Sequence, residues 1–303
     1  MSLEADTIID RRRLKTRLLL WRVVAVVGLV IAAAAMLSRF DGAPRGDHVA
    51  RMYIDGIILE DISREAALQD ITHDDKVQAL IVRIDSPGGT VVGGESLYYA
   101  LRGVAGTKPV VAVMGSTAAS AGYMVALAAD HLVARQGTVT GSIGVLMQTA
   151  NLNGLLDKLG IKPETIKSGP LKAQPNPFEP TSTEARQVAQ DVVMDMYAMF
   201  VDMVAERRNM ARGDVMPLAD GRIFTGRQAL AAGLVDATGG EAQARTWLEK
   251  NRDISGDLPV RDLEINYPSD DWRDYFKGMA GKALFSERLR LDGLISLWHP
   301  DSW

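Results

Sequence analysis

Two loops rich in glycine and serine, each directly after a strand-like run, constrain the fold of this chain more than any other feature. Residues 80–84 (Leu-Ile-Val-Arg-Ile) precede the first loop, Asp-Ser-Pro-Gly-Gly at 85–89, and residues 109–113 (Pro-Val-Val-Ala-Val) precede the second, at 114–123. Such runs are typical of buried strands in a parallel sheet. Residues 94–104 carry apolar side chains at helical spacing. This order predicts two neighbouring parallel strands whose loops meet at one edge, where α/β folds place their chemistry.

The second loop offers a serine nucleophile in a crowded backbone turn. Ser120 lies in the run Ala-Ala-Ser-Ala-Gly, where small side chains let a substrate backbone approach closely. The N–H of Ala121 and that of Gly89 in the first loop can converge on a developing oxyanion, with Gly88 shaping the turn. Glycine at both positions permits a positive φ and leaves no Cβ in the way. Taken alone, the first loop also fits an ordinary glycine-rich turn.

Further motifs follow these loops in a fixed order. They are residues 140–145 (Thr-Gly-Ser-Ile-Gly-Val), 167–172 (Lys-Ser-Gly-Pro-Leu-Lys), 220–226 (Asp-Gly-Arg-Ile-Phe-Thr-Gly) and 233–236 (Gly-Leu-Val-Asp). Over residues 51–248 the chain thereby resembles the signal peptide peptidase A family, in its short bacterial form, within the Clp/crotonase superfamily. The resemblance implies an α/β, Clp/crotonase-like fold, with a parallel β-sheet and flanking helices. It also implies a serine peptidase of the Ser/Lys dyad type.

By the same resemblance, Lys172 is the general base and Ser142 orients its amine. A lysine at its ordinary pKa of about 10.4 is protonated at neutral pH, so such a base needs surroundings that favour the neutral amine. Residues 168–176 contain no acidic side chain that would hold the ammonium charged. Lys167 ranks second as a base. Without the resemblance, Ser142 fits a turn serine bonded to its own backbone and Lys172 fits a solvated loop lysine.

A Ser-His-Asp triad is the competing mechanism. In the related Clp proteases the base is a histidine that follows the nucleophile, and His131 is the candidate at a comparable place here. It opens a strand-like run, Asp-His-Leu-Val at 130–133, so a structural role is the preferred interpretation. Ser116 is the alternative nucleophile, but it lacks the Ala-Gly-Tyr context that follows Ser120.

The composition argues against several other classes of function. A net charge of −4, with no basic stripe to balance it, argues against a nucleic-acid partner. The sequence has no cysteine, so disulfides and thiol chemistry are ruled out. The four histidines show no paired metal-ligand spacing, and we expect neither a metal nor a cofactor. With 303 residues, 47% of them apolar, the chain suits one large globular domain or two small ones.

The first residues are predicted to anchor the protein in a membrane. Residues 18–37 form an apolar run interrupted by Arg22 alone, and twenty helical residues span about 30 Å. Residues 1–17 are basic and would stay in the cytoplasm, whereas everything beyond the linker at 38–48 would be exported. This predicts a single-pass protein whose catalytic domain is extracytoplasmic, and the resemblance to a bacterial family implies the inner membrane and the periplasmic side. The alternative is a cleaved signal peptide, with small residues at 32–35 as its cleavage site.

The remainder divides into a domain and an extension. Residues 49–250 are expected to form the Clp/crotonase-like peptidase domain. Capping-box spacing at 181–184 predicts the start of a long helix. Its methionines at 194, 196, 199 and 203 suit core packing better than a soft peptide-binding surface. Residues 251–303 lie outside the resemblance, and the sequence leaves open a subunit contact, a membrane-surface helix or a loose tail.

Together, these features predict a membrane-anchored serine endopeptidase. The small side chains around Ser120 favour extended peptides with small or apolar residues. The resemblance implies that these are signal peptides left in the membrane after secretion, and that the protein forms a homo-oligomer in contact with inner-membrane lipid. Two alternatives are a crotonase-like enzyme that binds an acyl-CoA thioester and a catalytically idle membrane scaffold. The joint presence of Ser120 and Lys172 argues against both.

Overall fold

The computed structural model describes residues 15, 17–33, 46–267 and 294–297. The chain divides into two units, residues 1–46 and residues 47–303, which are described separately.

The described part of the first unit is a helix, α1, at residues 17–33. It covers most of the predicted anchor at 18–37, of which residues 34–37 lie outside the described residues, as do residues 1–14 and 38–45. Among the helices that the structure describes, none is both long enough and apolar enough to cross a membrane. The membrane anchor therefore stays a prediction.

The second unit is built on one sheet. Its described strands are β1 (His48–Ile58), β2 (Val77–Thr90), β3 (Val110–Ala119), β4 (His131–Ala134), β5 (Val139–Gly141), β6 (Leu146–Met147), β7 (Ile223–Thr225), β8 (Ala237–Thr238), β9 (Val260–Asp262) and β10 (Leu294–Leu297). The described helices are α2 (Ile62–His73), α3 (Val91–Ala105), α4 (Ala121–Ala126), α5 (Asn153–Lys158), α6 (Thr183–Arg208), α7 (Arg212–Val215), α8 (Gly226–Ala231) and α9 (Glu241–Arg252), with a 3₁₀ turn at Met216–Leu218.

The centre of the sheet is parallel, as the sequence predicts. β1 pairs with β2, β2 with β3 and β3 with β4, all in parallel register. The two flanking pairs, β9 with β1 and β8 with β4, are parallel as well. Antiparallel pairing occurs where β7 meets β5 and where β10 meets β2 and β6. The α/β class with a mostly parallel sheet is thereby confirmed.

The strands are apolar on both faces because helices cover both sides of the sheet. Along β2, Leu80 and Val82 belong to the larger core, which lies under α3 and α4. Ala79 and Ile81, one residue out of phase, belong to the smaller core on the other face, with α9. This period of two within a continuous apolar run is the expected signature of a doubly covered parallel sheet.

The structure adds detail that the sequence pattern lacks. The N-cap of α6 is Ser182, whose side chain accepts the N–H of Ala185. The cap therefore lies one residue after Thr181, the first position of the 181–184 motif. The chain beyond residue 250 contributes two strands to the sheet. β9 lies beside β1 and β10 lies beside β2.

Candidate active site

The two predicted loops lie side by side at the carboxyl ends of β2 and β3. Ser86 pairs with Ala118 after a register shift. A carboxylate joins the loops, because Asp85 Oδ1 accepts the N–H of Thr117 at 3.0 Å. Their backbones also meet closely: a Cβ built on Gly122 would lie 2.9 Å from the carbonyl oxygen of Ser86. The parallel register thus brings together segments about thirty residues apart in sequence, as predicted.

Ser120 occupies a strained turn between β3 and α4. Its φ of 57° and ψ of −122° are in a region that residues with a side chain rarely adopt. A third loop holds this conformation, because the Ser120 N–H donates to the carbonyl of Gly141 at 2.8 Å. Ser120 is 1% exposed. A sharp strand-to-helix turn with a serine at its apex is the geometry by which α/β-hydrolases present a nucleophile.

The conformation of the first loop, at residues 85–89, depends on its two glycines. Gly88 has a φ of +120°, and its N–H donates at 3.1 Å to Oγ of the fully buried Ser86. The Gly88 N–H is therefore used within the turn itself. Gly89 tolerates no side chain, since a Cβ there would lie 1.8 Å from the carbonyl oxygen of Ile58. Ala121 is the first residue of α4, and first-turn N–H groups have no acceptor within their own helix.

Ser120 and Ser142 line the same cavity, whose volume is about 510 Å³. Ser142 also has a positive φ, of 50°, and its N–H donates to the carbonyl of Arg222 at 2.8 Å. The remaining lining residues are Ile143, Gly144, Val145, Leu146, Gln190, Val193, Met194, Tyr197, Ala219, Asp220 and Gly221. The cavity thus has one wall from the loop after β5 and one from α6. A mixed apolar wall of this kind suits an apolar peptide side chain.

Sequence reasoning missed most of the α6 wall. Met194, offered as part of a peptide-binding surface, lines the cavity, whereas Met203 is buried in the core. The Tyr197 hydroxyl donates to the carbonyl of Ala219 at 2.8 Å and so ties α6 to the far side of the cavity. Helical periodicity indicates that α6 has an apolar face, but the face that meets Ser120 depends on how the helix packs. A second cavity, of about 460 Å³, adjoins the first through Gln190 and Val193.

Lys172 does not line the Ser120 cavity. It is exposed and lies in a turn in which its N–H donates to the carbonyl of Gly169 at 3.2 Å. Lys167, the second-ranked base, forms an ion pair with Glu179, with 2.6 Å between Nζ and Oε2. The hydrogen bond from Lys167 lowers the pKa of Glu179. The structure therefore places the predicted nucleophile, Ser120, and Ser142 on one cavity and leaves the predicted base, Lys172, outside it.

His131 is too far from Ser120 to act as its base. It pairs with Val111 at the start of β4, nine residues before Ser120 along β3. At about 3.3 Å per residue, that strand spans roughly 30 Å if it stays extended. His131 instead stacks on Trp247 with ring centroids 4.8 Å apart and lies 3.7 Å from Asp236. Its role is structural, as the sequence indicates.

Metal chemistry finds no support in the described residues. Within them, no three histidine, cysteine, aspartate or glutamate side chains are grouped so that they could hold a metal ion.

The alternative nucleophile, Ser116, is exposed on β3, four residues before the strained turn. Ser120 is therefore the serine that the turn geometry favours.

Comparison with known proteins shows that the chain is similar to peptidases. A sequence profile of Peptidase family S49 matches residues 103–255, which include both Ser120 and Lys172. A candidate protease of Synechocystis sp. is 42% identical over 201 residues, 66% of this chain and 72% of that protein. A candidate signal peptide peptidase SppA of Enterococcus faecium is 37% identical over 189 residues, 62% of this chain and 55% of that protein.

Two further proteins extend the comparison. The chloroplastic serine protease SPPA of Arabidopsis thaliana is 32% identical over 273 residues, 88% of this chain but 38% of that protein. Several relatives are therefore considerably longer than the part this chain matches. Among solved structures, a variant of a membrane-bound stomatin-specific protease superposes with a TM-score of 0.49 at 16% identity, over 74% of this chain and all of that one.

Proposed function

The chain belongs to peptidase family S49, and on this premise we propose that it is a membrane-anchored serine endopeptidase with a Ser120/Lys172 dyad. The observation that carries the proposal is the strained, buried turn at Ser120, which opens onto a cavity with a mostly apolar wall. Strain of this kind persists only where the surrounding structure holds it, and it is concentrated at functional sites.

In the proposed reaction, Ser120 Oγ attacks a peptide carbonyl while Lys172 Nζ accepts the hydroxyl proton. The N–H groups of Gly89 and Ala121 stabilise the oxyanion of the tetrahedral intermediate. The intermediate collapses as the ammonium returns its proton to the leaving amine, which leaves an acyl-enzyme. Water, activated by the same amine, then releases the second product. Ser142, on the wall of the same cavity, orients the amine.

Lys172 is exposed in the single chain, whereas a lysine that acts as a base needs apolar surroundings. Its segment carries large apolar side chains in water: Leu159 is 63% exposed, Ile166 96% and Phe178 50%. Large apolar side chains that are exposed in a single chain can be covered in an assembly. We therefore include a homo-oligomer in the proposal. Burial of this segment between copies would surround the lysine with apolar groups, which favours the neutral amine that a base requires.

The substrate and the location are also part of the proposal. Apolar side chains from β6 and α6 beside Ser120 suit small or apolar peptide residues, such as those of signal peptides left after secretion. The apolar run at 18–37 would hold the enzyme in the inner membrane next to them, with lipid around the anchor and the catalytic domain on the extracytoplasmic side.

The dyad is tested with the full-length protein in detergent and an apolar peptide ester. Ser120→Ala and Lys172→Ala should each lose at least about 10³-fold in kcat/KM. Lys167→Ala, the matched control, should keep most of the activity, because that lysine is paired with Glu179. The wild-type rate should rise with pH through an apparent pKa below about 10.4. Full activity in Lys172→Ala would refute the dyad, and no turnover by the folded wild type would favour the scaffold alternative.

A further inference from the structure

The second cavity, which adjoins the Ser120 cavity, carries one charged side chain. Residues of β6 and of the segment just after it form part of its wall, and the first turns of α6 form another part. Among the described residues that line it, only Arg186 is charged, and neither an aspartate nor a glutamate is present. A cavity whose charge is all of one sign attracts a ligand group of the opposite sign. The composition of this wall therefore favours an anion.

One stripe of α6 connects the two cavities. Arg186 lines the second cavity, and Tyr197 lines the Ser120 cavity. Gln190 and Val193, which lie between them on the helix, line both. Residues three or four positions apart share one face of a helix. A ligand that enters the Ser120 cavity can therefore continue along the same face of α6 until it reaches Arg186.

The Arg186 guanidinium is available to such a ligand. Within the part of the chain that the structure describes, no ion pair includes Arg186. Asp191, one turn further along α6, accepts a hydrogen bond from Gln187 at 2.7 Å instead. By contrast, Arg208 at the other end of the helix is paired with Asp236. A guanidinium presents a planar fork of N–H donors, which matches the two oxygens of a carboxylate.

A second donor lies on the wall of the same cavity. Asn151 Oδ1 accepts the backbone N–H of Asn153 at 3.0 Å and the Asn153 Nδ2 group at 2.8 Å. Because a backbone N–H can only donate, this contact fixes which end of the Asn151 amide faces Asn153. The NH₂ group of Asn151 is thereby left as a donor. Arg186 and Asn151 together offer donors to an anion without a competing carboxylate from the cavity wall.

We propose that the second cavity binds a carboxylate of the substrate through Arg186, about four residues from the bond that is cleaved. This rests on the proposed function, since it defines the substrate class of the same site. Arg186 and Met194, which lines the Ser120 cavity, are eight positions apart on α6. Eight helical residues rise about 12 Å. An extended peptide covers that distance in about four residues at about 3.3 Å each.

Two kinds of carboxylate have the required chemistry. One is the side chain of an aspartate or glutamate in the substrate, and the other is the C-terminal carboxylate of a peptide. Hydrolysis of any longer chain creates a new C-terminal carboxylate, so a substrate of the second kind would be the product of an earlier proteolytic step. In both cases the two cavities fix the spacing between the carboxylate and the cleaved bond.

The first test measures binding without turnover, in the Ser120→Ala variant of the full-length protein. The probes are three N-acetylated decapeptides of alternating alanine and leucine, and calorimetric titration gives each Kd. One has a central glutamine and an amidated end, the second replaces the glutamine with glutamate, and the third keeps the glutamine but ends in a free carboxylate. The glutamate peptide, the free-acid peptide or both should bind about fivefold more tightly than the neutral peptide. The peptide that gains identifies the source of the carboxylate.

Substitution of the arginine shows whether Arg186 causes this preference. Arg186→Gln removes the charge and should bring the three Kd values together, whereas Arg186→Lys should keep part of the preference. Arg227→Gln is the matched control, because Arg227 is an exposed arginine on α8 that lines neither cavity. It should keep the full preference. Equal affinity for all three peptides with Arg186 present would overturn the proposal, and so would a preference that survives in Arg186→Gln.

The second test asks whether the carboxylate sets the position of cleavage. The wild-type enzyme receives two alternating alanine–leucine peptides in which the carboxylate that improved binding differs in position by two residues, and mass spectrometry identifies the products. Because the sequence is otherwise uniform, the preferred bond should move by two residues together with the carboxylate. Arg186→Gln should cleave both peptides with the same distribution. A preferred bond that does not follow the carboxylate in the wild type would overturn the proposal.

The two tests separate this proposal from the proposed function. If the wild type hydrolyses no peptide but Ser120→Ala binds carboxylates with a preference that depends on Arg186, the peptidase proposal fails and the carboxylate site stands. If the wild type hydrolyses peptides but the carboxylate changes neither the affinity nor the cleaved bond, the carboxylate site alone is refuted.

Discussion

Replacement of Gly122 by alanine tests whether packing between the two loops positions the nucleophile. The new methyl carbon would lie 2.9 Å from the carbonyl oxygen of Ser86, roughly 0.5 Å closer than an ordinary C···O approach of about 3.4 Å. Because Ser86 is fully buried and bonded to Gly88, the turn of Ser120 is the part that must move. Displacement of a reacting group by 1 Å costs about 10²-fold in rate, so half that distance should lower kcat/KM about tenfold.

The assay compares ester hydrolysis and urea unfolding for two glycine variants. Gly122→Ala should lose about 1–3 kcal/mol of unfolding free energy through overpacking, together with the tenfold loss of activity. Gly103→Ala is the matched control, because Gly103 lies in α3 with no atom within 4 Å of its would-be Cβ. It should gain up to about 1 kcal/mol and keep full activity. A folded Gly122→Ala protein with wild-type kcat/KM would refute the idea that loop packing sets the position of Ser120.

Two further changes probe the loop and the far end of the sheet. Ser86→Ala leaves the buried Gly88 N–H without its acceptor. The variant should lose about 1–3 kcal/mol of unfolding free energy in urea, and its kcat should fall. Unchanged stability would show that the hydroxyl is dispensable. Burial lowers the pKa of the His131 imidazole below its ordinary value of 6.5. The unfolded state therefore binds the proton more readily than the folded state. The stability that neutral His131 contributes is present above pH 6.5 and is lost as the pH falls through the folded-state pKa. His131→Phe, which can keep the stack on Trp247, should therefore lose less unfolding free energy between pH 7.5 and 5.5 than the wild type, and equal losses in the two proteins would contradict this account.

Local patterns were sufficient to predict the central unit of the fold. The run from Leu80 to Ile84 is apolar except for Arg83 because both faces of β2 are covered. A strand covered on both faces needs apolar side chains at nearly every position. Ser120 could be singled out because a strained turn packed against another backbone needs alanine and glycine around it. These are short-range requirements, and each leaves a signature within about ten residues of sequence.

The tertiary structure alone decided which distant segments complete the site. Tyr197 and Met194 form a wall of the cavity because α6 packs across the loops, and periodicity cannot say which neighbour an apolar face will meet. The pairing of residues 295–297 with Gly88–Thr90 joins segments about two hundred residues apart through backbone groups. Backbone hydrogen bonds are the same for every residue type, so a ladder of this kind leaves almost no mark in the sequence. The turn at Ser120 is therefore encoded locally, whereas the segments that surround it depend on long-range packing and pairing.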